Sequence, residues 1–194
     1  MGNFYVNFSV KGAEQGQVVA VFEGACRRSI VTPSREGYVV AFDEEADSQD
    51  IESILEVGAL LSRELGLATL AVVNHDDDIL AYWLFERGES VDSYNSNPDY
   101  FGAEPEDEDN GAPPSRGGDA MKLVALLSPG ADVAAVEAIL RGDSVFAVEQ
   151  HEQLVEALGL PAWSVWLGYK YVADGQVEDE TDVDQFIHVG ETGS

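Results

Sequence analysis

Residues 74–78 read Asn-His-Asp-Asp-Asp, three carboxylates beside an imidazole, set between the apolar runs 67–73 and 79–86. Carboxylate oxygens are the ligands that calcium and magnesium prefer, and histidine is the side chain that titrates nearest neutral pH. A second acidic stretch, FDEEADSQD over 42–50, is the natural source of further ligands. Asp43, Glu44, His75, Asp76 and Asp78 therefore form the candidate set for a divalent cation, calcium or magnesium, and with it a cation-dependent hydrolase. The spacing argues for something plainer. Three consecutive residues cannot all aim at one ion, and a calcium loop places its ligands at alternate positions and closes on glutamate. Asn and Asp dominate tight turns because their side chains bond their own backbone and tolerate left-handed geometry. Five polar residues between two strands read first as a hairpin loop, and no cofactor is expected.

Other reactive patterns are missing. Cys26 is the sole cysteine, so it forms no internal disulfide and no CxxC pair. Arg27 and Arg28 follow it, which favours thiolate, but no histidine lies near it in sequence. His75, His151 and His188 form no HxH or HExxH pattern, which disfavours zinc. GxSxG, GxGxxG and GxxxxGK[ST] are absent. The leading expectation is a non-enzymatic protein that works by binding another protein. Mixed aromatic and small polar residues suit such a surface. The stretch SYNSNPDYF, 93–101, supplies Tyr94, Asn95, Asp99, Tyr100 and Phe101, and Trp166 is a further anchor.

Charge narrows the partner. The 194 residues carry 37 acids against 10 bases, a formal net charge of -27, and the only lysines are Lys11, Lys122 and Lys170. Such a field repels nucleic acid and anionic membrane surfaces and attracts basic proteins. Adaptation to a salty cytoplasm accounts for the same acidity, and so does an inhibitor or immunity protein aimed at a basic toxin. No apolar run approaches the ~20 residues that cross a bilayer. The start, MGNFYVNFSVKG, lacks the basic and apolar segments of a signal peptide, so a soluble cytoplasmic protein is expected.

The elements that position these residues follow from period and punctuation. FYVNFSV (4–10) alternates as a half-buried strand. A short helix over 12–24, a hairpin of strands at 29–33 and 35–45, and a helix capped at Ser48 follow. That helix carries Ile51, Ile54, Leu55, Leu61 and Leu65 on one stripe and stops at Gly66. Strands at 67–73, 79–86 and 89–94 complete the first half. The order matches a ferredoxin-like βαββαβ sheet extended by a β-hairpin. Because 67–73 and 79–86 are apolar throughout, both sheet faces must be covered. The acidic, Pro- and Gly-rich stretch 102–119 reads as a linker. Beyond it, strands at 121–127, 144–148 and 161–172 and helices after Ser128 and over 149–159 give a smaller α/β module. Phe186-Ile187 adds an edge strand in an acidic tail. The expected architecture is α+β, with modules at 1–101 and 120–194. ELGLATLAV and ALGLPAWSV resemble each other, a likeness that two helix–strand units sharing one stop signal explain.

Overall fold

A computed structural model describes residues 2–100, 115–142, 144–177 and 183–190. The first half runs β1 (Phe4–Lys11), α1 (Gln15–Gly24), β2 (Ser29–Val31), β3 (Tyr38–Asp43), α2 (Ile51–Leu65), β4 (Thr69–His75), β5 (Ile79–Glu86) and β6 (Glu89–Asn95). It is followed by β7 (Arg116–Gly117), α3 (Ala120–Leu127), α4 (Val133–Arg141), α5 (Ala147–Leu158), α6 (Tyr169–Ala173) and β8 (Ile187–Val189). The protein is mixed α+β. Its strands form one sheet in the order β7-β6-β5-β4-β1-β3-β2-β8, and every neighbouring pair is antiparallel. The sheet thus grows at both edges, with β5, β6 and β7 beyond β4 and β8 beyond β2. Among the described residues, no helix is long and apolar enough to cross a membrane.

Alternation along β1 divides the core. Val6, Phe8 and Val10 join Val39, Ala41, Ala71 and Phe85 under Val18 and Phe22 of α1 and Ile54, Val57 and Leu61 of α2. The opposite face carries Leu70, Val72, Leu80, Tyr82 and Leu84 against Leu123 and Leu127 of α3, Val136 and Leu140 of α4, and Leu154 and Leu158 of α5. A third cluster sets Ile30, Val40 and Phe42 against Trp163, Leu167, Tyr169 and Phe186. The cover that two-sided apolar strands demand therefore comes from the chain's own second half. Each large apolar side chain so buried contributes about 1.5–3 kcal/mol.

The second half differs from the sequence expectation. MKLVALL is helix α3, not a strand. A seven-residue apolar run has no period that separates a buried strand from a buried helix. Asp119 decides it, because its carboxylate accepts from the Lys122 N–H and caps the first turn. Residues 161–172 are not a strand either. They form a single helical turn at Ala162–Ser164, an extended link, and then α6. Asp47 starts α6 by accepting from the N–H groups of Tyr169 at 2.9 Å and Lys170 at 3.2 Å. Residues 144–148 lead into α5 and form no strand. The caps move as well. Asp50 rather than Ser48 caps α2 by accepting from Ser53 N–H, and Asp132 rather than Ser128 caps α4 by accepting from Ala134 N–H. The edge strand at Ile187 is present as β8.

Gly58 shows how closely α2 seats on the sheet. A β-carbon there would lie 2.3 Å from the Phe85 ring. Gly58→Ala is expected to destabilise the protein by about 1–3 kcal/mol despite alanine's better helix propensity, because the ring is buried and cannot retreat. Adding Phe85→Leu should recover part of the loss in urea unfolding. A single variant as stable as the wild type would contradict this packing.

Candidate functional site

The 74–78 loop is a turn, held from several sides. Asp76 and Asp77 have φ of 54° and 61°, the left-handed pair that a primed hairpin turn requires. Asp78 N–H donates to the carbonyl of His75 at 3.0 Å and closes it. The side chains are engaged in turn. Asp76 Oδ1 accepts from Gly2 N–H at 3.1 Å. Both Asp77 oxygens accept from Asn3 Nδ2 at 3.0–3.1 Å. Asp78 Oδ2 accepts from the Tyr100 hydroxyl at 3.0 Å. The His75 ring meets Phe4 edge-on at 4.9 Å and Tyr100 at 5.9 Å, and its Nδ1 contacts Gln49 Oε1.

Deeper bonds fix the turn to the core. Ala147 N–H at the start of α5 donates to the carbonyl of Asp77 at 2.7 Å. Gln49 Nε2 donates to the carbonyl of Asn74. The buried Asn74 side chain receives the Asp77 N–H on its Oδ1 and reaches Tyr5 Oη at 3.5 Å. The Tyr5 hydroxyl and His151 Nδ1 share a hydrogen bond of 2.8 Å, and the two rings stack. Burial pushes His151 down to about 3 and pushes the Tyr5 hydroxyl up, so both are neutral at pH 7.

The remaining cation candidates are placed elsewhere. Asp43 is buried at the end of β3, where it accepts from Arg27 Nε at 2.8 Å and Nη2 at 2.9 Å, from Ser29 Oγ and from Ala46 N–H. Glu44 pairs with Arg28 at 2.8 Å. Strands β3 and β4 end on the same side of the sheet, but β1 runs between them, and neighbouring strands are ~4.8 Å apart. Gln49 links the two stretches, but the carboxylates of Asp43 and Glu44 bond Arg27 and Arg28 while those of Asp76 and Asp78 bond Gly2 and Tyr100. Among the described residues, no three of His, Cys, Asp and Glu form a group that could hold a metal ion.

The aromatic candidates divide. Tyr94 is core: it stacks on Tyr82 at 5.4 Å, donates to the carbonyl of Leu140 and accepts from Gln150 Nε2. Tyr100 is 40% exposed beside His75, and Phe4, at the start of β1, is 42% exposed. Phe146 is half exposed just before Ala147, and Asp99 is exposed. Asn95 accepts from Asn97 N–H and shapes the loop. Trp166 is exposed with a left-handed backbone and donates from Nε1 to Glu152. Phe101 lies outside the described residues. Thus Phe4, His75, Asp76, Asp78 and Tyr100 share one surface, whereas Trp166 bonds Glu152 of α5 instead.

A cleft of about 470 Å³ opens next to this surface, where the sheet runs on past the start of α2. Ile54, Val73, Ile79, Ala81 and Trp83 line its apolar part. Gln49, His75, Asn95 and Arg116 stand among its polar residues. Gly117 places Arg116 there. Its φ is +77°, and a β-carbon would lie 2.1 Å from the carbonyl oxygen of Ser93, so only glycine lets β7 lie this close to β6. Arg116 and Gly117 fall within the 102–119 stretch read as a linker, whose part 102–114 lies outside the described residues, and nothing in its sequence announces a strand or such a site.

Compared with protein-family models, with curated proteins and with solved structures, the chain gives no significant match to any of them.

Proposed function

We propose that this chain is a non-enzymatic binding protein that holds a basic protein partner against the surface around the 75–78 turn. The observation that carries the reading is a fixed mixture of charge and aromatic area. Asp76 and Asp78 are exposed but held in place by Gly2 and Tyr100, and the rings of Phe4 and Tyr100 flank His75. Pre-ordered acceptors lose little freedom when an arginine or lysine arrives. Exposed aromatic faces beside them take the same cations through the ring quadrupole. The net charge of -27 adds long-range attraction for such a partner. In this reading the turn carboxylates serve protein contact without a metal. An inhibitor of a basic toxin is one protein of this kind.

The same proposal includes a ferredoxin-like inner unit. The element order β1-α1-β2-β3-α2-β4 and the neighbour order β4-β1-β3-β2 support it. Residues 1–101 and 120–194 then act as two modules sharing the core on the second sheet face.

The test is to crosslink the protein in extract, identify the attached chain, and titrate the purified pair. Phe4→Ala with Tyr100→Ala is expected to weaken binding at least ~10-fold, and added salt to weaken it further. An affinity indifferent to both changes would remove the turn surface from the interface.

A further inference from the structure

We propose that the cleft beside α2 binds a small amphipathic anion: an apolar body of aromatic size carrying one negatively charged head group. The inference is independent of the protein-binding surface, with which the cleft shares His75.

Size comes first. About 470 Å³ falls in the range of small-molecule pockets, which run from ~300 to 1,000 Å³. The lining then sets the body of the ligand. Ile54, Val73, Ile79 and Ala81 offer only hydrocarbon, and the half-buried Trp83 adds an aromatic surface that stacks well on another ring.

Charge sets the head group. Acids make up 37 of the 194 residues, yet among the described residues no Asp or Glu lines this cleft. Arg116 does, and it makes no ion pair among the described residues. A guanidinium presents a planar fork of donors that fits a carboxylate or a similar oxyanion, and it remains charged at every physiological pH. The described lining thus joins a cation to an apolar surface, with no carboxylate among its residues, on a strongly acidic protein. One arginine answers one charge. A polyphosphate or a nucleic acid would bring several more charges into a field of -27, which opposes them. A singly charged amphiphile gains the arginine and the apolar lining and faces the least repulsion.

Two fluorescent probes of the same shape test this. 1-Anilinonaphthalene-8-sulfonate carries one negative charge, and N-phenyl-1-naphthylamine carries none. The full chain is expected to bind one equivalent of the charged dye saturably. Arg116→Gln should weaken that dye about 10-fold while leaving the neutral dye within about twofold. Ser93→Trp projects an indole into the cleft from an exposed β6 position and should abolish both. Circular dichroism and the melting temperature show that each variant is folded. Unsaturable dye binding, an Arg116→Gln variant equal to the wild type, or dyes retained after Ser93→Trp would each overturn the proposal. So would a concentration-dependent dimer that Ser93→Trp dissociates, since the cleft would then be an interface between copies of the chain.

Discussion

Between pH 6.5 and pH 3 the wild-type protein is expected to lose about 4 kcal/mol more stability than a His151→Gln variant. His151 is 1% exposed, packed on Tyr5 and bonded to its hydroxyl. Burial lowers its pKa from 6.5 to about 3, and each pKa unit is worth ~1.36 kcal/mol. The unfolded chain takes up a proton near pH 6.5, whereas the folded chain refuses it until about pH 3. The unfolded state therefore binds more protons across that window, and stability falls as pH falls. Above 6.5 both states are neutral and the effect is absent. Acidification also neutralises surface carboxylates and relieves self-repulsion, and the raised pKa of the partly buried Asp47 carboxyl works in the stabilising direction. Those contributions are common to both proteins, so the difference between their urea-unfolding curves isolates the histidine. Parallel curves would mean that water reaches His151 and that the anchor under the 74–78 turn is looser than its contacts imply.

Asp43→Asn is expected to cost about 3 kcal/mol, the lower end of the range for breaking a buried ion pair. Asp43 is 1% exposed and takes two bonds from the Arg27 guanidinium, whose pKa it raises chiefly through that hydrogen bonding. Removing the charge strands a guanidinium that is itself mostly buried. The loss stays near the lower end because Glu45 and Glu56, both exposed, also reach Arg27 at 3.0 Å and 3.6 Å. Replacing both partners, Arg27→Leu with Asp43→Leu, should restore part of the stability, since no charge is then left unpaired. Urea unfolding measures both. A single variant within about 0.5 kcal/mol of the wild type, the usual range for surface changes, would show the pair to be solvated.

Asp43 also illustrates what can be read from a linear chain. The strand that carries it follows from the apolar run YVVAF, although it spans Tyr38–Asp43 and not the expected 35–45. Its partner does not follow, because pairing with Arg27 depends on β2 lying beside β3. The turn at 74–78 was legible for a local reason: Asn and Asp prefer left-handed backbone, and Asp76 and Asp77 adopt it. The helix at 51–65 was legible through its apolar stripe and Gly66 stop. MKLVALL was not, because its deciding cap, Asp119, lies just outside a run with no telling period, and PAWSVWLGYKYV was not, because a long-range partner decides it. The residue that starts α6 is Asp47, 122 positions before Tyr169. The proposed partner surface is composed in part of residues singled out from the sequence. Tyr100, His75, Asp76 and Asp78 converge, whereas Tyr94 turns into the core to reach Leu140 and Gln150. Phe4 reaches the surface because β1 begins beside the turn, at the register Phe4–His75. Arg116 enters the cleft because β7 pairs with β6, a contact that no local pattern encodes.

On the function proposed above, the turn carboxylates are structural anchors and acceptors for a protein partner. Thermal unfolding in calcium, magnesium or manganese chloride, against sodium chloride of equal ionic strength, tests it most directly. The predicted result is the same stabilisation from every salt, the response of a self-repelling acidic surface to screening. A saturable rise in melting temperature with one divalent ion, absent in sodium chloride and abolished by Asp76→Ala, would contradict the account and make the 75–78 turn a metal site.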